Sequence, residues 1–390
     1  MQHIQTGRWP VAAMFATNGF VMGAWAPQIP LLLTRHSISN TTLGLLILAL
    51  GLGAVGAMLF AGRLIQSYGS RNVARAFGLA TVPALPLVVL APNLWLLTPA
   101  MTLMGAVIGS MDVAINANAV EVERRMGRAI MSSSHGFWSL GGFIGGFAGS
   151  FVVAHWGAEA QAINVATLAL VTVLLAGPKL ITDAPHPGDE KPEPHALFPR
   201  DAALWILGFM ALFCMVPEGA VLDWAAIYLS RELGADLFRS GLGFAGFAGT
   251  MAIMRFAGDR LRNRFGAVKT LQISGLISAA GLLGGAFAPT DVIAIASFTF
   301  AGLGVANMVP ILFSAAGNHP GMAAGAAIST VTMVGYAGIL VAPSSIGFIA
   351  DHIGFRATYA ALAVVLLIVT ALAPRVKAAD GLRTTGLAGQ

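Results

Sequence analysis

Continuous apolar runs of about twenty residues or more, separated by short polar breaks, fill most of the chain. With charge, proline and glycine taken as punctuation, they predict six spans at about 9–34, 41–65, 72–91, 94–118, 130–155 and 160–180. Six more follow at about 202–230, 239–260, 267–287, 290–314, 323–350 and 355–374. A membrane-crossing helix needs roughly 20 predominantly apolar residues. The runs lack the ten-residue alternation of barrel strands. The pattern predicts an all-α polytopic membrane protein with 12 transmembrane helices. The longest polar stretch, Asp183 to Asp201, carries Pro185, Pro187, Pro192, Pro194 and Pro199. Proline stiffens it and removes backbone donors, so it reads as a linker. The expected organisation is a six-helix bundle over 1–182, a cytoplasmic linker over 183–201, and a second bundle with a short tail over 202–390.

Composition narrows the class. Charged residues make up 10% of the 390 residues, against roughly 25% in soluble proteins. A soluble enzyme, a disordered tail and a disulfide-stapled secreted domain are excluded. The single cysteine, Cys214, excludes an intrachain disulfide and a cysteine metal cluster. The apolar run from Trp9 to Leu33 is too long for a secretory signal. With the N-terminus inside, 18 of the 22 lysines and arginines fall on the inner segments; Arg35, Arg231, Arg239 and Arg356 fall outside. That bias predicts an even number of spans with both termini cytoplasmic; the expected setting is a bacterial inner membrane. It also accounts for the net charge of +5 without a nucleic-acid partner. No Gly-Lys-Ser/Thr loop is present, which argues against an ATP-driven pump.

The halves resemble each other faintly. Asn18 to Trp25 matches Glu218 to Trp224, and Met58 to Gly62 matches Met254 to Gly258, both offset by about 200 residues. Twelve spans, a central linker and related halves resemble the major facilitator superfamily, whose fold packs two pseudo-symmetric six-helix bundles. Its loop signature, Gly-x-x-x-Asp-Arg-x-Gly-Arg-Arg/Lys, resembles Gly62 to Arg71 here, with Gly62, Gly69 and Arg71 matching and Gln66 replacing the acid. Looser copies lie at Gly258-Asp259-Arg260 to Gly266 and at Gly347 to Arg356. The resemblance implies a gating role for Gly62, Gly69, Arg71, Arg255, Gly258 and Asp259. Two stretches are similar to the fucose-permease branch of proton-coupled sugar importers. Gly109 to Asn118 resembles its Gly-x-x-Glu-Thr-Ala-Ala-Asn stretch, whose acid takes the coupling proton, and Trp25-Ala-Pro27-Gln28 resembles its Ile-Pro-Gln stretch. The branch's acid in the first span falls at Gly23. Drug–proton antiport is the competing branch, but the fifth span lacks the proline of its signature.

Asp112 is the sharpest chemical candidate. An ionised carboxylate in mid-helix costs about 2.5–3.5 kcal/mol on the insertion scale. Burial disfavours the charged form of a carboxyl, so such a group can load and release a proton as its exposure alternates. A structural acid bonded to a neighbouring helix is the competing reading. Glu218 and Asp223 are five residues apart, about 140° around a helix, and do not face one cavity together. Either can bind hydroxyls, an amine or a positive side chain. Arg255 neutralises a gate acid or snorkels to the inner surface. Asn18, Gln28, Asn116 and Asn307 offer donors and acceptors for a polyhydroxylated solute, or act as interhelical glue. Trp25, Trp138 and Trp224 can stack on sugar faces or cations. His135 can titrate near neutral pH or simply pack.

The resulting expectation is a monomeric secondary transporter in the lipid bilayer. It would import a small polar solute (a sugar, cyclitol or amino-sugar relative) by proton symport, with no cofactor beyond the proton. Efflux of a drug or metabolite by antiport is the alternative. A polytopic enzyme or channel ranks third, since the eight histidines are dispersed.

Overall fold

In hydrocarbon a backbone must satisfy its own hydrogen bonds, which a helix does within one segment. The computed structural model describes residues 7–38, 40–183, 201–235 and 237–383. Linker residues 184–200 and the tail beyond 383 lie outside the described residues. In chain order the helices are α1 (Arg8–Trp25), α2 (Ile29–His36), α3 (Asn40–Tyr68), α4 (Ser70–Thr81), α5 (Ala84–Leu90), α6 (Leu94–Met126) and α7 (Met131–Ala176). Then follow α8 (Ala202–Leu233), α9 (Leu237–Phe265), α10 (Ala267–Ala286), α11 (Asp291–Val305), α12 (Met308–Gly317) and α13 (Ala324–Ala371).

The twelve predicted spans map onto these helices once the breaks are read. The first span is interrupted by a 3₁₀ turn at Ala26–Gln28, where Pro27 lacks a donor. The third is interrupted at Val82 and Pro83, and the tenth between Val305 and Met308. The fifth and sixth spans run together as α7, and the eleventh and twelfth as α13. Only Gly157 (φ 85°) and Gly354 (φ 81°) part them, in a left-handed conformation that favours glycine. Ten stretches among the described residues are long and apolar enough to cross a membrane. The other two spans are the broken α1–α2 pair and α9, which carries Arg255, Asp259, Arg260, Arg262 and Arg264.

Equivalent features recur 197 residues apart. Gly69 and Gly266, at φ 79° and 84°, precede α4 and α10. Gly157 and Gly354 are a second such pair. The Thr81 hydroxyl lies 3.9 Å from the Met111 sulfur, and the Ser278 hydroxyl 3.8 Å from the Met308 sulfur. The sequence matches, at offsets of 200 and 196, straddle this register.

Two compact units form. One takes in the chain to Met126, Ser134–Arg200 and His319–Met333; the other takes in Gly127–Ser133, Asp201–Asn318 and the chain from Val334. In the first unit α1 and α7 touch backbone to backbone. A Cβ at Gly19 would overlap the Trp138 carbonyl, one at Gly23 the Gly142 carbonyl, and one at Gly141 the Ala16 carbonyl. Small residues permit this approach, and it brings the polar side chains of both helices within reach of α6.

Candidate functional site

Across that seam, polar residues from three helices of the first unit form a partly buried network. Asn18 of α1 donates from Nδ2 to the Ile108 carbonyl of α6 at 3.1 Å and accepts the Trp138 indole N–H of α7 at 2.9 Å. About two turns further along α6, Asn116 donates from Nδ2 to the Asp112 carbonyl at 2.9 Å. Its Oδ1 faces His135 Nε2 at 3.1 Å. The Phe15 ring lies 5.1 Å from the His135 ring. Asp112 is only 4% exposed and Asn116 fully buried. Ile108, Asp112 and Asn116 follow one another at four-residue spacing, so they share a helix face. The sequence candidates Asn18, Asp112 and Asn116 thus come together, joined by His135 and Trp138.

Other candidates lie apart from this network. Gln28 is buried and donates to the Ala158 carbonyl at 3.1 Å and to Gln161 Oε1 at 2.6 Å, while Gln161 donates to the Ala24 carbonyl at 2.7 Å. That arrangement ties the end of α1 to the second half of α7, and Trp25 is buried beside it. In the second unit Glu218 and Arg255 form an ion pair at 3.6 Å between α8 and α9. Asp223 is exposed and Trp224 half-buried. Trp224 stacks on Phe355 with ring centroids 5.8 Å apart, and its indole nitrogen has no hydrogen-bond partner among the described residues. Asn307 is buried at the α11–α12 break, and its Oδ1 stands where a Cβ on Gly258 would fall.

The gating candidates have identifiable mechanical roles. Gly69 opens α4, and the Asp183 carboxylate accepts the Ser70 N–H and hydroxyl at 2.5 Å each. Asn118 donates to Ser70 Oγ at 2.9 Å and to the Ile181 carbonyl at 2.8 Å. Arg71 donates to the Pro178 carbonyl at 2.7 Å. In the second repeat Asp380 accepts the Ala267 N–H at 2.6 Å, and Arg262 donates to Ser314 Oγ and the Ala379 carbonyl, each at 2.7 Å. Asp259 accepts the N–H groups of Ser132 and Ser133 at 3.0 and 3.1 Å, and Asn263 accepts that of Ala129 at 2.9 Å. The first-turn donors of α7 have no helical acceptors of their own; α9 supplies two of them with a carboxylate, and the segment just before α7 with an amide oxygen. At the equivalent of Asp259, Gly62 leaves no room for a side chain: a Cβ there would lie 2.8 Å from Ala326 Cα. Asp183, Asp380, Ser70 and Gln161 escape sequence reading. Asp183 looks like the first residue of a linker, and nothing local announces its partner on α4.

Among the described residues no cluster of histidine, cysteine and acidic groups is arranged to hold a metal. The arrangement is that of buried polar networks inside membrane-spanning helices.

Comparison with known proteins bears on the whole chain. An uncharacterized MFS-type transporter of Yersinia pestis is 37% identical over 362 residues, covering 92% of this chain and 93% of that one. The membrane protein MosC of Rhizobium meliloti is 32% identical over 88% of this chain and 84% of its own length. Among solved structures, the major facilitator transporter FucP in its outward conformation matches with a TM-score of 0.77 at 16% identity, over 94% of this chain and 97% of that one. The human organic anion transporter MFSD10 matches at 0.74 and 14%, over 95% and 99%. The family model of the Major Facilitator Superfamily matches residues 11–249 and 220–385. Matched along nearly its full length, and built as a multi-pass helical membrane protein, the chain belongs to the Major Facilitator Superfamily of transporters and is not an enzyme.

Proposed function

We propose that the chain imports a small polar solute by proton symport through alternating access, with Asp112 as the proton carrier. The solute class is a sugar, cyclitol or amino-sugar relative, and both termini face the cytoplasm of a bacterial inner membrane. The observation that carries this reading is the placement of Asp112. A carboxyl that is 4% exposed sits in the middle of an apolar span, on the helix face that also presents Asn116 and the carbonyl bonded by Asn18. Intramembrane acids mark proton and substrate pathways. The amides and the indole beside it can bond hydroxyls in a dry pocket. The fold match with FucP and the proton:xylose symporter XylE, the latter at a TM-score of 0.73, adds support for a proton-coupled reading.

The test has two parts. A thermal-shift screen against sugars, cyclitols, amino sugars and lipophilic cations identifies the solute class, since a ligand that binds only the folded state raises its melting temperature. Uptake of the hit into proteoliposomes under an inward proton gradient then reads coupling. Asp112→Asn is expected to abolish gradient-driven accumulation while sparing solute exchange. Unchanged uphill uptake in that variant overturns the assignment. Stabilisation by lipophilic cations alone favours efflux, with Glu218 or Asp223 as the cation partner.

A further inference from the structure

The first helix of this chain carries no carboxyl where the fucose-permease branch has one, and the packing explains the vacancy. A Cβ at Gly23 would overlap the Gly142 carbonyl of α7, so the α1–α7 seam leaves no space for an acid. The same seam carries an imidazole instead. His135 lies one turn before Trp138 on α7 and meets α6 through Asn116. The orientation of that amide is set by its other end: Nδ2 donates to the Asp112 carbonyl at 2.9 Å, which leaves Oδ1 toward His135. A carboxamide oxygen only accepts, so Nε2 of His135 carries the hydrogen in both the neutral and the cationic ring. Proton gain therefore falls on Nδ1, whose lone pair becomes an N–H, and the bond to Asn116 survives the change of charge.

We propose that His135 is a second proton-binding group of the transport cycle, coupled through its charge to the Asp112 carboxyl, which lies one turn along α6 from its partner Asn116. The inference rests on the symport reading and deepens it. The charged groups near the ring can be named, and Asp259 is one of them: its carboxylate accepts the Ser132 and Ser133 N–H groups at the start of α7. From α1 it faces Phe15, and the sequence from Trp9 to Thr34 contains no titratable residue. From α6 the acid next to Asn116 is Asp112; Glu121 and Glu123 lie more than a turn beyond, and Glu121 is paired with Arg125 at 2.8 Å. On α7 itself no other titratable side chain occurs between Met131 and Ala154. A nearby carboxylate favours the cationic imidazole. Removal of the Asp112 charge is therefore expected to weaken proton binding at His135.

The experiment uses the full chain in lipid nanodiscs without any solute. Ser134-His135 is the only Ser-His step in the sequence, so carbonyl-labelled serine with ¹⁵N-labelled histidine assigns the residue by NMR with no mutation. Its ring nitrogens are then followed from pH 4.5 to 9. The expected result is a titration within that window, starting from a neutral ring protonated at Nε2. In Asp112→Asn, proton affinity at His135 is expected to be about tenfold weaker, a shift of roughly one pH unit. A ring that does not titrate, or one that titrates in Asp112→Asn and in Asp112→Ser just as it does in the parent, overturns the pairing. The outcomes separate the two readings. A silent His135 with intact gradient-driven uptake removes this inference alone. A titrating, Asp112-dependent His135 without gradient-driven uptake removes the symport reading on which it rests.

Discussion

At the α1–α7 seam of the first repeat Asn18 accepts the Trp138 N–H; 197 residues on, Met215 sets its sulfur against Gly335, where a Cβ would lie 2.9 Å away. Continued through the same register, Asp112, Asn116 and His135 correspond to Val309, Phe313 and Thr332. The second repeat inverts the pattern elsewhere: its Glu218–Arg255 ion pair falls on the positions of Val21 and Met58. At most of these positions one repeat packs its helices with apolar side chains where the other carries polar groups, Thr332 being the exception. Helix packing alone therefore does not require the polar residues, which is the physical ground for reading them as functional. The helix ends that carry Arg35 and Arg356 make the complementary point. Arg35 pairs with Glu159 at 3.0 Å, and at the corresponding positions Glu232 pairs with Arg356 at 3.7 Å, with the charges exchanged. In both repeats the arginine reaches a carbonyl at the end of the third span, Val89 or Ala286. The clamp is kept while the helix that carries each charge changes.

The largest predicted effect tests the seam. Gly23→Asp installs the missing acid against the Gly142 carbonyl, whereas the equivalent Ala220 already carries a Cβ. Overpacking of this kind costs roughly 1–3 kcal/mol or more, and the buried charge adds to it. Gly23→Asp should yield little monodisperse protein on size-exclusion chromatography, while Ala220→Ser should run like the parent. A wild-type elution profile for Gly23→Asp would refute the seam. Next in size is Asp259→Ala, which removes the acceptor of two first-turn N–H groups of α7. Caps of this kind contribute about 0.5–2 kcal/mol, so a clear fall in apparent melting temperature is expected. Gly62, at the matching position, shows that the frame can be built without that carboxylate, so an unchanged melting temperature would mean the second repeat does not depend on it either.

Asn18→Met copies the second repeat's chemistry into the first. It leaves the Trp138 indole without its acceptor, a loss of about 1–2 kcal/mol. The protein should still fold, but solute-induced thermal stabilisation should disappear. Retained stabilisation would place solute binding outside the Asn18–Trp138 pair. The charge exchange is subtler, since exposed pairs contribute about 0.2–1 kcal/mol. Arg35→Glu alone sets two acids side by side and should lower the melting temperature. Adding Glu159→Arg reproduces the second repeat's arrangement and should recover most of that loss. No recovery would mean that the two clamps are not interchangeable.

The spans were legible because most of the predicted runs, ten among the described residues, are long and apolar enough to cross a membrane, and Asp112, Asn18 and Asn116 stood out as polar residues within the predicted spans. Their assembly was not legible. That Trp138 bonds Asn18, and His135 bonds Asn116, depends on how far α1 and α7 approach, which is set by glycines spaced along both helices. Gln28 and Asp183 illustrate the same limit. Gln28 stands out as a polar residue in a span and Asp183 does not, but neither announces its partner, which lies more than a hundred positions away. The helix breaks were partly legible: proline marks those at Pro27 and Pro83, while the turns at Gly157 and Gly354 depend on a left-handed backbone that many other glycines in the chain do not adopt.

The smallest effect separates the two clamped ends by pH. His36 closes α2 beside Arg35; the equivalent residue of the second repeat is Leu233. His36 Nε2 is buried and has no hydrogen-bond partner among the described residues. Burial first, and then the Arg35 charge, hold its imidazole below the ordinary histidine range. The folded protein therefore binds this proton more weakly than the unfolded chain does. The contribution of His36 to stability is fully present above the unfolded value of about 6.5 and declines as pH falls through it. His36→Leu copies the second repeat and removes the titrating group. The drop in apparent melting temperature between pH 8 and pH 5.5 should be smaller in His36→Leu than in the parent. Equal drops would mean that the Arg35 end tolerates a charged imidazole, and that the clamp holds without the neutral ring beside it.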